Sequence, residues 1–225
     1  MTAARRARYH AGMAVHLPTE PLRALFIGDS ITDVGRRDDP DGLGHGYVAR
    51  IREELLCRDP AHAPEVLNRG VSGDTVRDLA RRWQADVLDL DPDLLSVKIG
   101  VNDVWRAFGA RAHEAVPEDE FRETLTALLR AVQAPDRTLV LVAPFMVEPD
   151  RRDEMRVQVV RRAALVAEVA QELGAALVEL QPAFDRVMRV SPPVWWSADE
   201  VHPTRAGHHL IAWEWLRVAG PLLQA

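Results

Sequence analysis

Several things are scarce in this 225-residue sequence, and each scarcity excludes a class of protein. Cys57 is the only cysteine, which excludes an intramolecular disulfide and a zinc site built from cysteines. No apolar run approaches the ~20 residues that a membrane-spanning helix needs. Basic residues are not in excess, because the formal net charge is −6, whereas proteins that bind nucleic acids usually carry a positive surplus. We therefore expect neither a membrane span nor a nucleic-acid partner.

The remaining composition is typical of a globular protein, with 47% hydrophobic and 28% charged residues. The length suffices for one domain with a buried core. Residues 1–20 contain arginines and a weak apolar patch that His16 and Pro18 interrupt, which argues against a secretory signal. We expect a loosely ordered arm over residues 1–20, a single domain over residues 21–225, and a cytoplasmic location.

Apolar runs alternate with helical patterns along the domain. Most of the runs are rich in Val, Ile and Leu and end in Gly or Pro, as buried parallel strands do. The predicted strands are residues 22–28, 64–70, 94–100, 137–144 and 175–182. The predicted helices are residues 47–56, 75–90, 117–132, 152–174 and 203–220. This alternation predicts an α/β fold with a parallel sheet covered on both faces.

Polar, glycine-containing stretches follow the first three predicted strands: "GDSIT", "GVSGDT" and "GVNDVW". In open parallel sheets, ligands bind beyond the carboxyl ends of the strands. We therefore expect these three junctions to converge at one edge of the sheet and to form a site.

The first junction, "FIGDSITD", allows two interpretations. Ser30 with Asp33 is a capping-box pattern that begins a helix. A serine between a strand and a helix is also where some hydrolases place a nucleophile, although Thr32 stands where the Gly-x-Ser-x-Gly motif has its second glycine. Ser30 would need a base, and His202 with Asp199 three residues before it could supply one. The alternative for that pair is a surface turn and a helix entry.

The other two junctions offer hydrogen-bond donors for an oxyanion. Gly73 precedes a helix that the Thr75–Asp78 capping-box pattern predicts, so its N–H could be free. Asn102 carries a side-chain NH₂ group, and the backbone N–H of Ser30 would be a third donor. An ordinary loop glycine and a turn asparagine are the alternatives.

Taken together, four stretches closely resemble the conserved blocks of the SGNH, or GDSL, hydrolase family. "FIGDSIT" matches the first block with Ser30, "NRGVSGDT" the second with Gly73, and "IGVNDVW" the third with Asn102. "DEVHPTRAGH" matches the last block with Asp199 and His202. The resemblance spans roughly residues 22–220.

The resemblance implies a three-layer α/β/α flavodoxin-like sandwich whose five parallel strands lie in the order 2-1-3-4-5. It implies a serine esterase with a Ser30–His202–Asp199 triad, an acyl-enzyme intermediate, and no metal or organic cofactor. The loop "GRRDDPDGLGHGYV" is similar to that of family members that deacetylate sugars or xylo-oligosaccharides, so the expected substrate is a small acetyl ester. A lysophospholipase or thioesterase and a non-catalytic ligand-binding module are the alternatives.

Residues around the site are assigned less directly. Trp105, Trp195, Trp196 and His45 are candidates for contacting substrate, with core packing or a loop role as the alternative. Of the two adjacent tryptophans, one is expected to be buried and the other to face the cleft. Lys98, the only lysine, is expected to extend toward the sheet edge. Asp29 and Asp103 are expected to make local hydrogen bonds. Spacing alone also permits a metal site with Asp199, His202 and His208.

Overall fold

A computed structural model describes residues 21–223 of the chain. Five parallel strands form one sheet in the order β2-β1-β3-β4-β5. The strands are β1 (Arg23–Gly28), β2 (Glu65–Gly70), β3 (Leu94–Lys98), β4 (Thr138–Val142) and β5 (Ala176–Val178). The order 2-1-3-4-5 is confirmed, and it places the ends of β1, β2 and β3 side by side.

Helices cover both faces of the sheet. They are α1 (Ser30–Asp33), α2 (Tyr47–Arg58), α3 (Val76–Asp86), α4 (Val101–Trp105), α5 (Glu118–Val132), α6 (Glu154–Leu173), α7 (Gln181–Met188) and α8 (Arg205–Ala219). Successive β1 residues alternate between two cores: Phe26 belongs to the core with residues of α2, α7 and α8, and Ile27 to the core with residues of α3 and α5, while α6 contributes to both. The predicted three-layer α/β/α sandwich is therefore confirmed.

Most predicted boundaries differ from the structure by one or more residues, and for two strand ends the local sequence shows why. The fifth strand ends at Val178 rather than residue 182, because Gln181 begins α7 with Pro182 in its first turn, where proline costs no hydrogen bond. The third strand ends at Lys98, and Gly100 (φ 124°) makes the turn into α4. Thr75 and Asp78 begin α3 as predicted: the Asp78 carboxylate accepts hydrogen bonds from the Thr75 N–H and hydroxyl, at 2.9 and 2.7 Å.

The expected position of Lys98 is wrong. Its side chain is completely buried, and the ammonium lies 3.1 Å from Asp29 Oδ2 and 5.6 Å from the centre of the Phe145 ring. A buried charge needs a partner. Asp29, at the end of the neighbouring strand, supplies that partner, so Lys98 has no need to reach solvent.

The predicted arm over residues 1–20 lies outside the described residues, as do residues 224 and 225. Within residues 21–223, no helix is both long enough and apolar enough to cross a membrane.

Candidate active site

The three polar junctions meet at the carboxyl edge of the sheet, around a cavity of about 600 Å³. β1 is flanked by β2 and β3, so the residues that follow these strands are neighbours. The cavity is lined by Ser30, Val34, Ser72, Gly73, Asn102, Trp105, Arg106, Gly109, Ala110, Arg111 and His202. The sheet topology therefore brings Ser30, Gly73, Asn102 and His202 to one place.

Ser30 is the first residue of α1, and its side chain does not cap that helix. Asp29 is the cap instead: its Oδ1 accepts the Ile31 N–H at 3.0 Å. The predicted partner Asp33 faces another loop, where it accepts hydrogen bonds from Ser72 N–H and Oγ at 3.0 and 2.8 Å. The capping-box interpretation is therefore wrong, and the Ser30 hydroxyl is left available to other groups.

The Ser30 hydroxyl faces the His202 ring. Ser30 Oγ lies 3.0 Å from His202 Nε2, and His202 Nδ1 lies 2.7 Å from Asp199 Oδ2. An ionised carboxylate only accepts hydrogen bonds, so Nδ1 carries the proton. In the neutral ring, Nε2 is then the acceptor for the serine hydroxyl. The three side chains form a continuous hydrogen-bonded chain that could remove a proton from Ser30.

A tight turn before α8 sets this arrangement. Asp199 Oδ1 accepts the His202 N–H at 2.7 Å and the Val201 N–H at 3.2 Å, while Ser197 Oγ donates to the His202 carbonyl at 2.8 Å. Partial burial acts to raise the pKa of Asp199, but the hydrogen bonds from His202 and Val201 outweigh it, and the pKa is lowered overall. Asp199 thus stays ionised beside the imidazole.

Hydrogen-bond donors surround the same point. Asn102 is buried and donates through Nδ2 to the Asp74 carbonyl at 3.0 Å, which leaves its second amide hydrogen unused by that contact. Gly73 has φ of 87°, a conformation that favours glycine. Within the described part of the chain, the N–H groups of Ser30 and Gly73 have no hydrogen-bond acceptor. Three donors are therefore available to a developing negative charge.

Asp103, the residue after Asn102, makes a hydrogen bond to a residue far away in the sequence rather than the local one that was expected. It is 1% exposed, and its Oδ1 accepts the Val76 N–H at 2.9 Å, which ties α4 to the start of α3. Its other oxygen has no partner among the described residues. Burial raises the pKa of Asp103 to about 7, although the Val76 N–H and Arg162 oppose that rise.

The candidate substrate contacts divide into two groups. Trp105 lines the cavity, is 37% exposed, and its ring centre lies 5.6 Å from that of His202. Trp195 and Trp196 are not among the residues lining this cavity, and neither is buried: Trp195 is largely exposed, and half-buried Trp196 donates to Ser191 Oγ. His45 lines a different cavity. Their contact with substrate stays a prediction.

Sequence reasoning did not identify Arg106 as part of this cavity. It follows Asn102 by four positions, a spacing that places two residues on one face of a helix, and that spacing was the available signal. Val34 and Ser72 also line the cavity, but no sequence pattern distinguishes them.

The residues of the metal alternative are not gathered into one cluster. Among residues 21–223, no group of three or more His, Cys, Asp or Glu side chains is arranged to hold a metal ion. His208 is buried, and burial, with Arg50 and Lys98, lowers its pKa to about 4. Its ring packs against Gly46, where an added Cβ would lie 3.2 Å from the ring.

Comparisons with known proteins agree with this geometry. Residues 26–210 match the GDSL-like lipase/acylhydrolase family. An acetylxylan esterase from Geobacillus stearothermophilus is 38% identical over 205 residues, which cover 88% of this chain and 94% of that protein.

Solved structures are also similar. The crystal structure of Axe2, an acetylxylan esterase from G. stearothermophilus, superposes with a TM-score of 0.84 at 36% identity, covering 88% of this chain and 94% of that one. LAE5, an alpha/beta hydrolase enzyme from the metagenome of Lake Arreo, Spain, has a TM-score of 0.85 at 38% identity, covering 90% and 97%. The matches span nearly all of the domain, so the chain belongs to the GDSL-like lipase/acylhydrolase family, whose members are the SGNH hydrolases.

Proposed function

We propose that this carboxylic ester hydrolase removes acetyl groups from acetylated xylo-oligosaccharides by using Ser30 as its nucleophile. One observation carries the proposal: Ser30, His202 and Asp199 form an unbroken hydrogen-bonded chain, with distances of 3.0 and 2.7 Å, and Ser30 and His202 line a cavity. The substrate class is supported by the similar acetylxylan esterase.

In the proposed reaction, Ser30 Oγ attacks the carbonyl carbon of the acetyl ester while its proton moves to His202 Nε2. Ionised Asp199 holds the Nδ1–H and stabilises the imidazolium. The tetrahedral intermediate collapses to acetyl-Ser30, and His202 returns the proton to the departing sugar oxygen. Water then repeats these steps, releasing acetate and restoring the Ser30 hydroxyl.

The N–H groups of Ser30 and Gly73 and the Asn102 amide are proposed to stabilise the negative oxygen of that intermediate. Ser30 begins α1, so its N–H lies in the positive field of a helix start. Gly73 and Asn102 lie on the adjoining junctions, which the parallel sheet holds in place. These donors would act only as charge develops, which is how an oxyanion hole accelerates acyl transfer.

Solved variants of Axe2 support the triad assignment. Three structures described as catalytic mutants replace a serine, an aspartate and a histidine of that protein by alanine. Its aspartate and histidine are three positions apart, as Asp199 and His202 are here.

Trp105 is the aromatic residue best placed to contact the sugar. Its ring borders His202, which returns the proton to the leaving group, so a sugar in that position would meet the indole face. A lysophospholipase or thioesterase reaction would use the same triad and differ only in the acyl and leaving groups. The cytoplasmic location stays a prediction from the sequence.

The test is a substrate panel with purified protein: acetylated xylo-oligosaccharides, p-nitrophenyl acetate, butyrate and octanoate, and a lysophospholipid. We expect turnover of the two acetyl substrates and its loss in Ser30→Ala, whose fold is checked by circular dichroism. Octanoate or lysophospholipid as the best substrate would support the alternative acyl hydrolases. Sugar binding without turnover of any ester would support the non-catalytic module.

A further inference from the structure

We propose that Arg106 is a positioning residue that holds the Gly73 N–H in place for the oxyanion. This inference rests on the proposed function, because it concerns the second of the three oxyanion donors. Arg106 follows α4 and lines the same cavity as Ser30 and Gly73. Its guanidinium acts on the backbone of the Gly73 loop rather than on the substrate.

The guanidinium is held between two partners. Arg106 Nη2 donates to the Gly73 carbonyl at 2.5 Å, and Nη1 forms an ion pair with Glu114. The Arg106 side chain is only 12% exposed, whereas that of Glu114 is 37% exposed, so the arginine end of the pair is the better shielded from water. Glu114 also lies 3.7 Å from the exposed Arg111, so its carboxylate pairs with two arginines that line the cavity.

Gly73 needs such a restraint. Its φ of 87° belongs to a region that glycine enters freely, and glycine loses the most conformational freedom on folding. Its N–H belongs to the Ser72–Gly73 peptide unit, and a change of φ or ψ at Gly73 would move that unit relative to the Gly73–Asp74 unit, whose carbonyl Arg106 holds. The Asp74 N–H closes this turn on the Val71 carbonyl at 3.2 Å, and Arg106 adds a second restraint; outside the neighbouring residues, its Nη2 is also the nearest atom to a hypothetical Gly73 Cβ, 4.0 Å away.

The residues on either side of Gly73 are already held. Ser72 is bound through its N–H and hydroxyl to Asp33, and the Asp74 carbonyl accepts from Asn102. The Gly73 carbonyl lies between these two attachments, and Arg106 is its partner. The contacts of Asp33, Arg106 and Asn102 therefore restrain three successive residues, and Arg106 restrains the one whose N–H is the donor.

A lysine could not replace this side chain. The planar guanidinium reaches the Gly73 carbonyl with one nitrogen and Glu114 with another, whereas an ammonium is a compact point charge. The side-chain shape as well as its charge is therefore required, and this distinguishes Arg106 from an ordinary surface arginine.

The experiment compares Arg106→Met and Arg106→Lys with the wild type in p-nitrophenyl acetate hydrolysis and in inhibition by methylboronic acid. The boronate forms a tetrahedral adduct with a nucleophilic serine and places an oxygen in the oxyanion hole. Arg81→Met is the matched control, because Arg81 is exposed on α3 and, among residues 21–223, forms an ion pair only with Asp78. Thermal unfolding of each variant monitors folding.

We expect Arg106→Met to lower kcat about tenfold while KM changes less than about twofold, since a displaced donor costs less than the 10²–10³ of a deleted one. Boronate affinity should fall by a similar factor, and Arg81→Met should match the wild type. If Arg106→Met does not fold, Arg106→Lys carries the test, with an expected fall in kcat of at least about threefold at unchanged KM.

The proposal would be overturned by an unchanged kcat in Arg106→Met, or by a loss of kcat/KM that comes mainly from a higher KM. A fall in kcat that leaves boronate inhibition as strong as in the wild type would also overturn it. The proposed function is tested separately by the wild type and Ser30→Ala. A wild type without esterase activity would overturn both proposals, whereas an active wild type with an unimpaired Arg106→Met would overturn the role of Arg106 alone.

Discussion

Replacing Asp103 by asparagine should change how the stability of the protein depends on pH. Asp103 is 1% exposed, one of its oxygens accepts the Val76 N–H, and the other has no partner among the described residues. Burial raises its pKa to about 7. The carboxyl group is therefore protonated in the folded protein at a pH where an unfolded chain would already have released that proton.

The sign and size of the effect follow from this difference. In the unfolded chain, an aspartate has a pKa of about 3.9. Between about pH 4 and pH 7 the folded state binds more protons, so the free energy of unfolding falls as pH rises. About three pKa units at 1.36 kcal/mol each amount to about 4 kcal/mol, and this loss is complete above about pH 7.

In the Asp103→Asn variant, the side-chain amide keeps an oxygen for the Val76 N–H and does not ionise. The free energy of unfolding of this variant should therefore lack the decrease that Asp103 causes as the pH rises. Urea unfolding of both proteins from about pH 4 to pH 8 measures it, and subtracting the two curves cancels the other titrating groups. The stability difference should move in favour of Asp103→Asn by up to about 4 kcal/mol. A difference that stays constant across this range would refute the reasoning.

Three further predictions concern the sheet edge. Lys98→Met should destabilise the protein by about 3–5 kcal/mol in urea unfolding, because it leaves Asp29 charged and buried. Adding Asp29→Asn should restore most of that stability, and no recovery would contradict the pairing. Gly70→Ala should lower the free energy of unfolding by about 1–3 kcal/mol in calorimetry, because the Cβ of the alanine would lie 2.2 Å from the Asp33 backbone nitrogen. An unchanged melting temperature would count against this close approach. Asn102→Ala should reduce kcat about 10²–10³-fold if its amide is an oxyanion donor, and a loss of only a few-fold would remove that role.

Much of the fold could be predicted because its signals are local. Apolar runs ending in Gly or Pro, most of them rich in Val, Ile and Leu, predicted the five strands, and the helical periodicities predicted the covering layers. The sheet order came from resemblance, since periodicity does not specify which strands pair. Helix α7 was missed because Gln181 and Pro182 were taken as the end of the preceding strand.

The candidate site was predictable to the extent that its parts are short motifs. Asp199 and His202 lie three residues apart in one turn, so their pairing is a local property. Ser30, Gly73 and Asn102 lie two, three and four residues beyond the ends of their strands, and the parallel topology brings these positions close together. The direction in which the Ser30 hydroxyl points could not be read from "FIGDSITD", because Asp29 and Ser30 are both residue types that cap helices.

Residue type and spacing by themselves thus determined the layers, the family blocks and the polar junctions. Folding in three dimensions decided which distant groups meet: Lys98 with Asp29, Asp103 with Val76, and Arg106 with Gly73. It also placed Trp105 at the cavity. Burial and long-range pairing depend on the whole packed sheet, and a linear pattern of residues carries no measure of either.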